Sequence, residues 1–181
     1  MTNYFEDNDG DSCVTNHTLP REFVNAVDTF KNHRELLEKM NGDGYFRIEL
    51  RDDVTYDDIC DLSSAGLIEF NEPPQGEKIL DWETTRRTSY LINSLPDDFT
   101  LSPVEVSAIF AVGDDFCSVP GPSHTWRLRE INVDLDDRSL LVLRGAGLLQ
   151  ISDLPDGITS SYSTTQRMET LQSLVRGFLY S

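Results

Sequence analysis

One twelve-residue pattern occurs twice in this chain, and it constrains the fold more than any other feature. Residues 59–70 read ICDLSSAGLIEF and residues 140–151 read LLVLRGAGLLQI, so both follow apolar-x-x-Leu-x-x-Ala-Gly-Leu-apolar-x-apolar. Further matches flank the pattern in the same order: Phe46-Arg47-Ile48 with Trp126-Arg127-Leu128 upstream, and Thr84-Thr85-Arg86-Arg87 with Thr164-Thr165-Gln166-Arg167 downstream. Self-similarity in a fixed order indicates a structural unit that was built twice.

Each copy of the pattern predicts a helix that ends where a strand begins. The apolar residues before Ala-Gly stand three apart and therefore share one helix face. The glycine that follows, Gly66 or Gly147, suits the left-handed backbone of a helix C-cap. Apolar alternation then predicts a strand, and the turn-rich stretches 71–76 and 153–157 predict the tips of two hairpins. A second strand and a closing helix complete each unit.

The segments before each pattern predict further helices. Phe23 to Met40 has helical apolar spacing, and Ser102-Pro103 is a cap and first-turn pair that opens a helix in the second unit. We also predict one short helix in each unit, at Phe46–Leu50 and at Trp126–Asn132. The order helix, helix, helix, hairpin, helix then occurs twice, which gives an α+β fold that is mostly α.

The charge of the chain is strongly acidic. The 181 residues include 32 acidic and 15 basic ones, for a formal net charge of −17, and only three of the basic residues are lysines. An acidic, lysine-poor surface rich in aspartate resembles proteins of salt-loving archaea or their viruses. In ordinary salt such a charge argues against a nucleic-acid partner, but in molar salt the Debye length falls to about 3 Å and this objection weakens.

The composition and the motifs argue against several classes of protein. No apolar run approaches the roughly 18–20 residues of a membrane span, so we expect a cytoplasmic protein without a membrane partner. Three widely spaced cysteines argue against a disulfide framework. Because no metal-ligand spacing, phosphate loop or nucleophile motif stands out, we expect no metal, no cofactor and no enzymatic activity.

The repeated pattern resembles the end of the recognition helix and the first wing strand of winged-helix proteins, which are common among archaeal and bacterial transcription regulators. The resemblance implies two tandem winged-helix domains, each with three helices, a β-hairpin wing and a closing helix. The expected division is a disordered acidic tail at 1–18, a first domain at 19–95, a linker at 96–100 and a second domain at 101–181. Residues 19–95 and 101–181 are called the first and the second unit below.

The resemblance also implies a DNA-contacting surface, because the third helix of such proteins enters the major groove and the wing touches backbone or minor groove. In the second unit this surface would consist of arginines and uncharged donors: Arg127, Arg129, Arg138, Ser139, Arg144, Ser160, Ser161 and Tyr162. The equivalent helix surface of the first unit is acidic, and its basic groups lie elsewhere, at Lys78, Arg86 and Arg87. We therefore expect a DNA-binding transcription regulator whose second domain contacts double-stranded DNA while the first serves partner or self association.

Other interpretations stay open. The arginines could simply balance nearby acids such as Glu130 and Asp134 on a solvated face. Leu141 and Val142 occupy positions where DNA contacts are usually polar, which favours a protein-interaction subunit of a larger assembly without direct DNA binding. A third alternative is an acidic decoy that mimics DNA. The apolar stripe of the closing helix is a candidate homodimer face or else packs on its own domain: Met168, Leu171, Val175 and Phe178.

Overall fold

The structure is a computed structural model that describes residues 19–41, 45–49, 54–71, 79–119, 126–127, 137–153 and 160–181. Within these ranges the fold is α+β and mostly helical, with seven α-helices, one 3₁₀ helix and two small antiparallel sheets. The predicted class is confirmed. None of the helices in these ranges has both the length and the hydropathy to cross a bilayer.

The elements follow the same order in both units. In the first unit they are α1 (Leu19–Asn32), α2 (Arg34–Asn41), β1 (Tyr45–Glu49), α3 (Tyr56–Ser64), β2 (Ile68–Asn71), β3 (Ile79–Thr84) and α4 (Arg86–Ser94). In the second unit they are α5 (Pro103–Val112), the 3₁₀ helix (Gly113–Ser118), β4 (Trp126–Arg127), α6 (Asp137–Gly145), β5 (Leu149–Asp153), β6 (Ser160–Thr164) and α7 (Gln166–Leu179). The predicted tail at 1–18 and the predicted hairpin tips fall outside the described residues, apart from the strand ends at positions 71 and 153.

The two sheets share one strand order. The first is β1-β3-β2 and the second is β4-β6-β5, both antiparallel. Trp82 lies in the middle strand of the first sheet, between Phe46 and Phe70. Tyr162 takes the same place in the second, between Trp126 and Ile151. Large residues therefore occupy matching register positions in the two sheets.

The short helices predicted at Phe46–Leu50 and Trp126–Asn132 are wrong, since the structure places strands β1 and β4 at those positions. In β1, apolar Phe46 and Ile48 alternate with charged Arg47 and Glu49, which is the period of a strand rather than of a helix. Pairing with β3 supplies the hydrogen-bond partners that a five-residue helix could not provide internally. Residues 128–132 lie outside the described ranges.

The Ala-Gly-Leu triplets end α3 and α6 in the same way. Gly66 has a φ of 68° and Gly147 a φ of 71°. The N–H of each glycine donates to the carbonyl three residues earlier, and the N–H of the following leucine donates to the carbonyl five residues earlier, all at 2.9 Å. This is the Schellman pattern, in which a left-handed residue satisfies the last helix carbonyls. The predicted transition from helix to strand is confirmed in both units.

The two units share one continuous core. Helix α1 lies at its centre, because it packs against α3 and α4 of the first unit and against α5, α7 and the 3₁₀ helix of the second. Phe23 of α1 meets Phe178 of α7 edge to face, with ring centroids 5.6 Å apart. Burial of such aromatic pairs stabilises the contact beyond the area removed from water. The fold therefore depends on both units together.

The connection between the units is fastened to α1 and α2. Within residues 96–100, predicted as a linker, Phe99 is buried and its carbonyl accepts a hydrogen bond of 2.9 Å from Lys31 Nζ. Arg34 of α2 forms an ion pair of 2.5 Å with Asp97. These contacts fix the relation of the second unit to the first.

The closing helix α7 turns its apolar stripe inward. The four residues predicted as a candidate dimer face, Met168, Leu171, Val175 and Phe178, are fully buried within the single chain. The whole width of the apolar stripe is buried because α7 packs against α1 and α4 of the first unit as well as against β6 of its own unit. A dimer through these four side chains would require α7 to leave its core, so packing on the chain itself is the use the structure shows.

Candidate nucleic-acid interface

Helix α6 is held at the surface by its buried side. Leu140 and Leu143 are buried, and the helix packs against α5 and leads directly into β5. Their spacing of three residues places both on the inner face. The Schellman cap at Gly147 then fixes where the helix stops and in which direction the chain leaves it. The outer face of α6 is therefore presented by a well-anchored helix.

The outer side of α6 carries Arg138, Leu141 and Arg144, which together are called the α6 face. Both arginines are exposed, and the Leu141 side chain is 61% exposed. Residues three apart lie on neighbouring turns, and Arg138 and Arg144 are separated by about 9 Å along the helix axis. Neither arginine forms an ion pair or hydrogen bond with another described residue. Both guanidinium groups are therefore available to an outside acceptor.

The other predicted contacts of the second unit are placed less favourably. Tyr162 is buried in the middle strand β6, so it is not the exposed wing donor that was predicted. Alternation explains this, because Tyr162 and Thr164 are both buried on one side of β6. Ser139 is half-buried. Ser160, Ser161 and Arg127 lie in strands whose side chains there are not described, and Arg129 is outside the described residues.

The equivalent surface of the first unit has the opposite charge. Helix α3 exposes Tyr56, Asp57 and Asp61, which together are called the α3 face. Beside it, Asp58 closes a capping box with Thr55. Hydrogen bonds from the Thr55 side chain and backbone lower the pKa of Asp58, and nearby His33 acts in the same direction. A third carboxylate, held in the cap, therefore lies beside the two exposed aspartates of the α3 face.

The predicted secondary basic contacts divide in two. Arg86 is exposed at the first turn of α4. Arg87 instead donates to Glu22 of α1 at 3.5 Å and stacks over the Phe178 ring, 4.8 Å from its centroid. Arg87 therefore joins the two units rather than facing a ligand. Lys78 lies outside the described residues.

A pair of equivalent ion pairs was missed in the sequence. Arg167 of α7 donates to Glu105 of α5 at 2.6 and 3.1 Å, in the same arrangement of closing helix and first helix as Arg87 with Glu22. The guanidinium of Arg167 lowers the pKa of Glu105, which is only 7% exposed. The match of Thr-Thr-Arg-Arg with Thr-Thr-Gln-Arg places Arg87 and Arg167 at equivalent positions. The sequence alone does not show which glutamates pair with them.

Two open clefts offer mixed charge rather than a single sign. One, of about 680 Å³, lies beside the start of α4, where Arg86 and Arg87 are offset by Glu69 and Glu83. The other, of about 570 Å³, lies at the junction of α1 and α2, where Lys31, Arg34 and Lys39 stand beside Glu35. Of these cations, Arg34 is already paired with Glu38 and Asp97, and Lys31 donates to the Phe99 carbonyl. Mixed linings do not select an anion. The α6 face instead presents two exposed arginines from one helix, with no carboxylate paired to either among the described residues.

Comparison with protein-family models, with curated proteins and with solved structures finds no match for this chain. Function is therefore inferred from the residues and contacts of this chain alone.

Proposed function

We propose that the chain is a DNA-binding transcription regulator of a salt-loving cell, built from two tandem winged-helix domains. The second domain contacts double-stranded DNA through the α6 face, and the first serves association with a partner or a second copy. The order of elements supports the winged-helix interpretation, because in each unit a helix leads through a glycine cap into a hairpin whose second strand pairs with an earlier strand. In that architecture the helix before the hairpin is the one that enters the major groove.

The observation that carries the proposal is the pair of available arginines on one side of α6. In a chain of net charge −17, half-buried arginines are held by carboxylates, as Arg34 is by Glu38 and Asp97. Arg138 and Arg144 have no such partner among the described residues. A guanidinium can bind phosphate or guanine with two parallel hydrogen bonds.

The exposed leucine between the arginines is compatible with this function. Apolar side chains in the major groove contact the methyl group of thymine, so Leu141 adds a base contact between two polar ones. Its 61% exposure leaves it free to make that contact. The α3 face has Asp57 in the place of Arg138 and a second exposed aspartate, Asp61, and would repel phosphate.

The experiment is selection from a random-sequence duplex library by gel retardation at about 0.2 M and about 2 M KCl, which spans the range over which screening becomes almost complete. Wild type is compared with Arg138→Gln/Arg144→Gln. Because a base or phosphate contact of this kind contributes about 1–3 kcal/mol, the double variant is expected to bind the selected duplex at least about tenfold more weakly.

The matched control is Lys39→Glu, which changes the net charge by the same two units at an exposed position of α2 far from α6 in the chain. This variant should retain the duplex as wild type does. Equal retention by wild type and the α6 double variant would reject the proposed surface.

The second candidate function is a protein-interaction subunit that does not bind DNA. It is favoured by Leu141, one of four large apolar side chains that the described residues expose. Exposed apolar residues in an interface are typical of protein partners. Absence of any retained duplex for wild type at every salt concentration would select this alternative.

A further inference from the structure

The α3 and α6 faces are complementary surfaces at equivalent places of one repeated unit. Both helices have nine residues, and both end in the same Schellman cap. Asp57 stands where Arg138 stands in the second unit, by the alignment of the two twelve-residue patterns. Each face carries one exposed large apolar side chain, Tyr56 at 42% and Leu141 at 61%. One face is acidic and the other is basic.

We propose that the α3 face of one copy docks on the α6 face of a second copy, so that self-association and DNA compete for Arg138 and Arg144. The α3 face then acts as a built-in substitute for the phosphate backbone, with carboxylates in the place of phosphates. This inference depends on the proposed function only for the competition with DNA, since the docking itself needs no DNA.

Among the described residues, the elements that pack on each helix leave most of its face exposed, although Tyr56 meets the ring of Phe70 on β2 edge to face. Helix α3 packs against α1 and β2, and α6 packs against α5 and β5. The exposed fractions of Tyr56 and Leu141 are those of the single chain. Both faces are therefore open to a partner.

The net charge favours a second copy in one orientation. Two copies that each carry −17 repel one another over most of their surfaces. Attraction is expected only where the basic α6 face of one meets the acidic α3 face of the other. A single contact of this kind joins two different patches, so it continues into a ring or an open chain unless two copies make it reciprocally as a symmetric pair.

The salt dependence of this docking follows from the same charges. At low salt the repulsion between whole molecules opposes the encounter, and at about 1 M KCl the Debye length is about 3 Å, which removes that repulsion. Directly contacting ion pairs and the Tyr56 and Leu141 side chains are affected less. Self-association is therefore expected to increase from low salt towards molar salt.

The test uses sedimentation velocity at about 1 M KCl, chosen for that screening length, with two charge-reversed variants. In Arg138→Glu/Arg144→Glu both faces are acidic, and in Asp57→Arg/Asp61→Arg both are basic. Each variant alone is expected to be monomeric. A one-to-one mixture is expected to associate, because every acidic face then has a basic face to meet.

The matched control is Asp28→Arg/Glu35→Arg, which makes the same change of net charge as the α3 variant at exposed positions of α1 and α2. It should associate as wild type does. Circular dichroism shows whether each variant is folded, and all the substituted positions are exposed. A wild type that is monomeric at every salt concentration overturns the inference, as does a mixture that fails to associate.

A DNA arm separates this inference from the proposed function. Addition of the selected duplex should dissociate the self-associated wild type into monomers bound to DNA. Asp57→Arg/Asp61→Arg should still bind the duplex. If wild type binds DNA but never self-associates, only the docking is wrong. If the charge-reversed mixture associates while wild type binds no duplex, only DNA binding is wrong.

Discussion

Helices α3 and α6 have the same backbone and opposite surfaces. Buried leucines recur in register, as Leu62 with Leu143 and Leu67 with Leu148, and both helices end with the same pair of 2.9 Å capping bonds. At one exposed position the two helices have opposite charges, Asp57 on α3 and Arg138 on α6, and each helix exposes a second charge of the same sign at a position of its own, Asp61 or Arg144. Buried positions therefore specify the fold of the unit, while exposed positions are free to give each copy its own partner.

The ion pairs between the closing helix and the first helix also recur in both units and differ in exposure. Glu105 is nearly buried and is held by two hydrogen bonds from Arg167. Glu22 has a side chain that is 40% exposed and lies 3.5 Å from Arg87. The arrangement of the two helices recurs, but the contribution of each ion pair to stability depends on how deeply its carboxylate is buried.

The largest difference in unfolding free energy between the two units is expected when each of these ion pairs is broken in turn. Arg167→Gln leaves the Glu105 carboxylate buried without its main partner, which costs about 1–3 kcal/mol of unfolding free energy. Arg87→Gln removes a more exposed pair, which contributes about 0–1 kcal/mol. Urea unfolding of the two variants measures both values, and equal losses would contradict the difference in burial.

The pH dependence of unfolding provides the control for that comparison. The pKa of Glu105 in the folded chain is lowered from its ordinary value of 4.5, chiefly by the hydrogen bonds from Arg167. The stabilisation is therefore fully present above pH 4.5 and is lost as the pH falls through the lower folded value. In Arg167→Gln this acid-dependent loss should shrink, whereas in Arg87→Gln it should remain.

A second test concerns the contact between the equivalent closing helices. A Cβ atom on Gly177 of α7 would overlap the hydroxyl and ring of Tyr90 on α4. Gly177→Ala is therefore expected to destabilise the chain by about 1–3 kcal/mol through overpacking. Gly145→Ala is the matched control, because a Cβ there meets no atom within 4 Å. Thermal unfolding distinguishes them, and equal midpoints would show that α4 and α7 are not closely packed.

A third test asks whether the two helix caps are equivalent. Alanine at Gly66 or Gly147 must adopt a positive φ, which costs about 1–2 kcal/mol for an L-residue. Both substitutions should lower the unfolding free energy by similar amounts. A marked effect at one cap and none at the other, in the same urea titration, would break the equivalence of the units.

The smallest expected effect is a gain in stability that only the first unit can show. Glu69 and Glu83 are exposed and directly opposite on β2 and β3, whereas Gln150 faces Ser163 in the second sheet. Opposed like charges destabilise a sheet, so Glu69→Gln should stabilise the chain by about 0.2–1 kcal/mol in low salt. The gain should decline as salt screens the pair. Gln150→Glu, opposite an uncharged residue, should show no comparable loss.

Much of this fold could be predicted from the sequence because its strongest signals are local. The Ala-Gly-Leu triplets give both helix ends, and Ser102-Pro103 gives the start of α5, where the structure has a capping box. Strands β1 and β4 were missed because each is short and becomes a strand by pairing with a hairpin that lies far along the chain. The alternation within β1 covers only five residues, too few to be distinguished from a short helix by pattern alone.

The candidate site was only partly predictable for the same reason. Exposure of Arg138 follows from the helical spacing of the buried Leu140 and Leu143. Arg144 is four residues after Leu140 and is exposed in the last turn of α6, which that spacing does not predict. The burial of Tyr162 and the inward use of the α7 stripe depend on which elements of the other unit pack against them. A stripe of apolar residues on a helix does not by itself tell whether its cover comes from the same chain or from another.

The most direct test of the division between the units is the salt dependence of DNA affinity, followed by fluorescence anisotropy on the selected duplex. Each phosphate contact contributes about 0.9 to the slope of log affinity against log salt. At protein concentrations where the chain is monomeric, and where both arginines bind phosphate, Arg138→Gln/Arg144→Gln should weaken binding and reduce the slope by about 2, while Asp57→Asn/Asp61→Asn leaves the slope unchanged. An α6 variant with the affinity and slope of wild type would contradict the account.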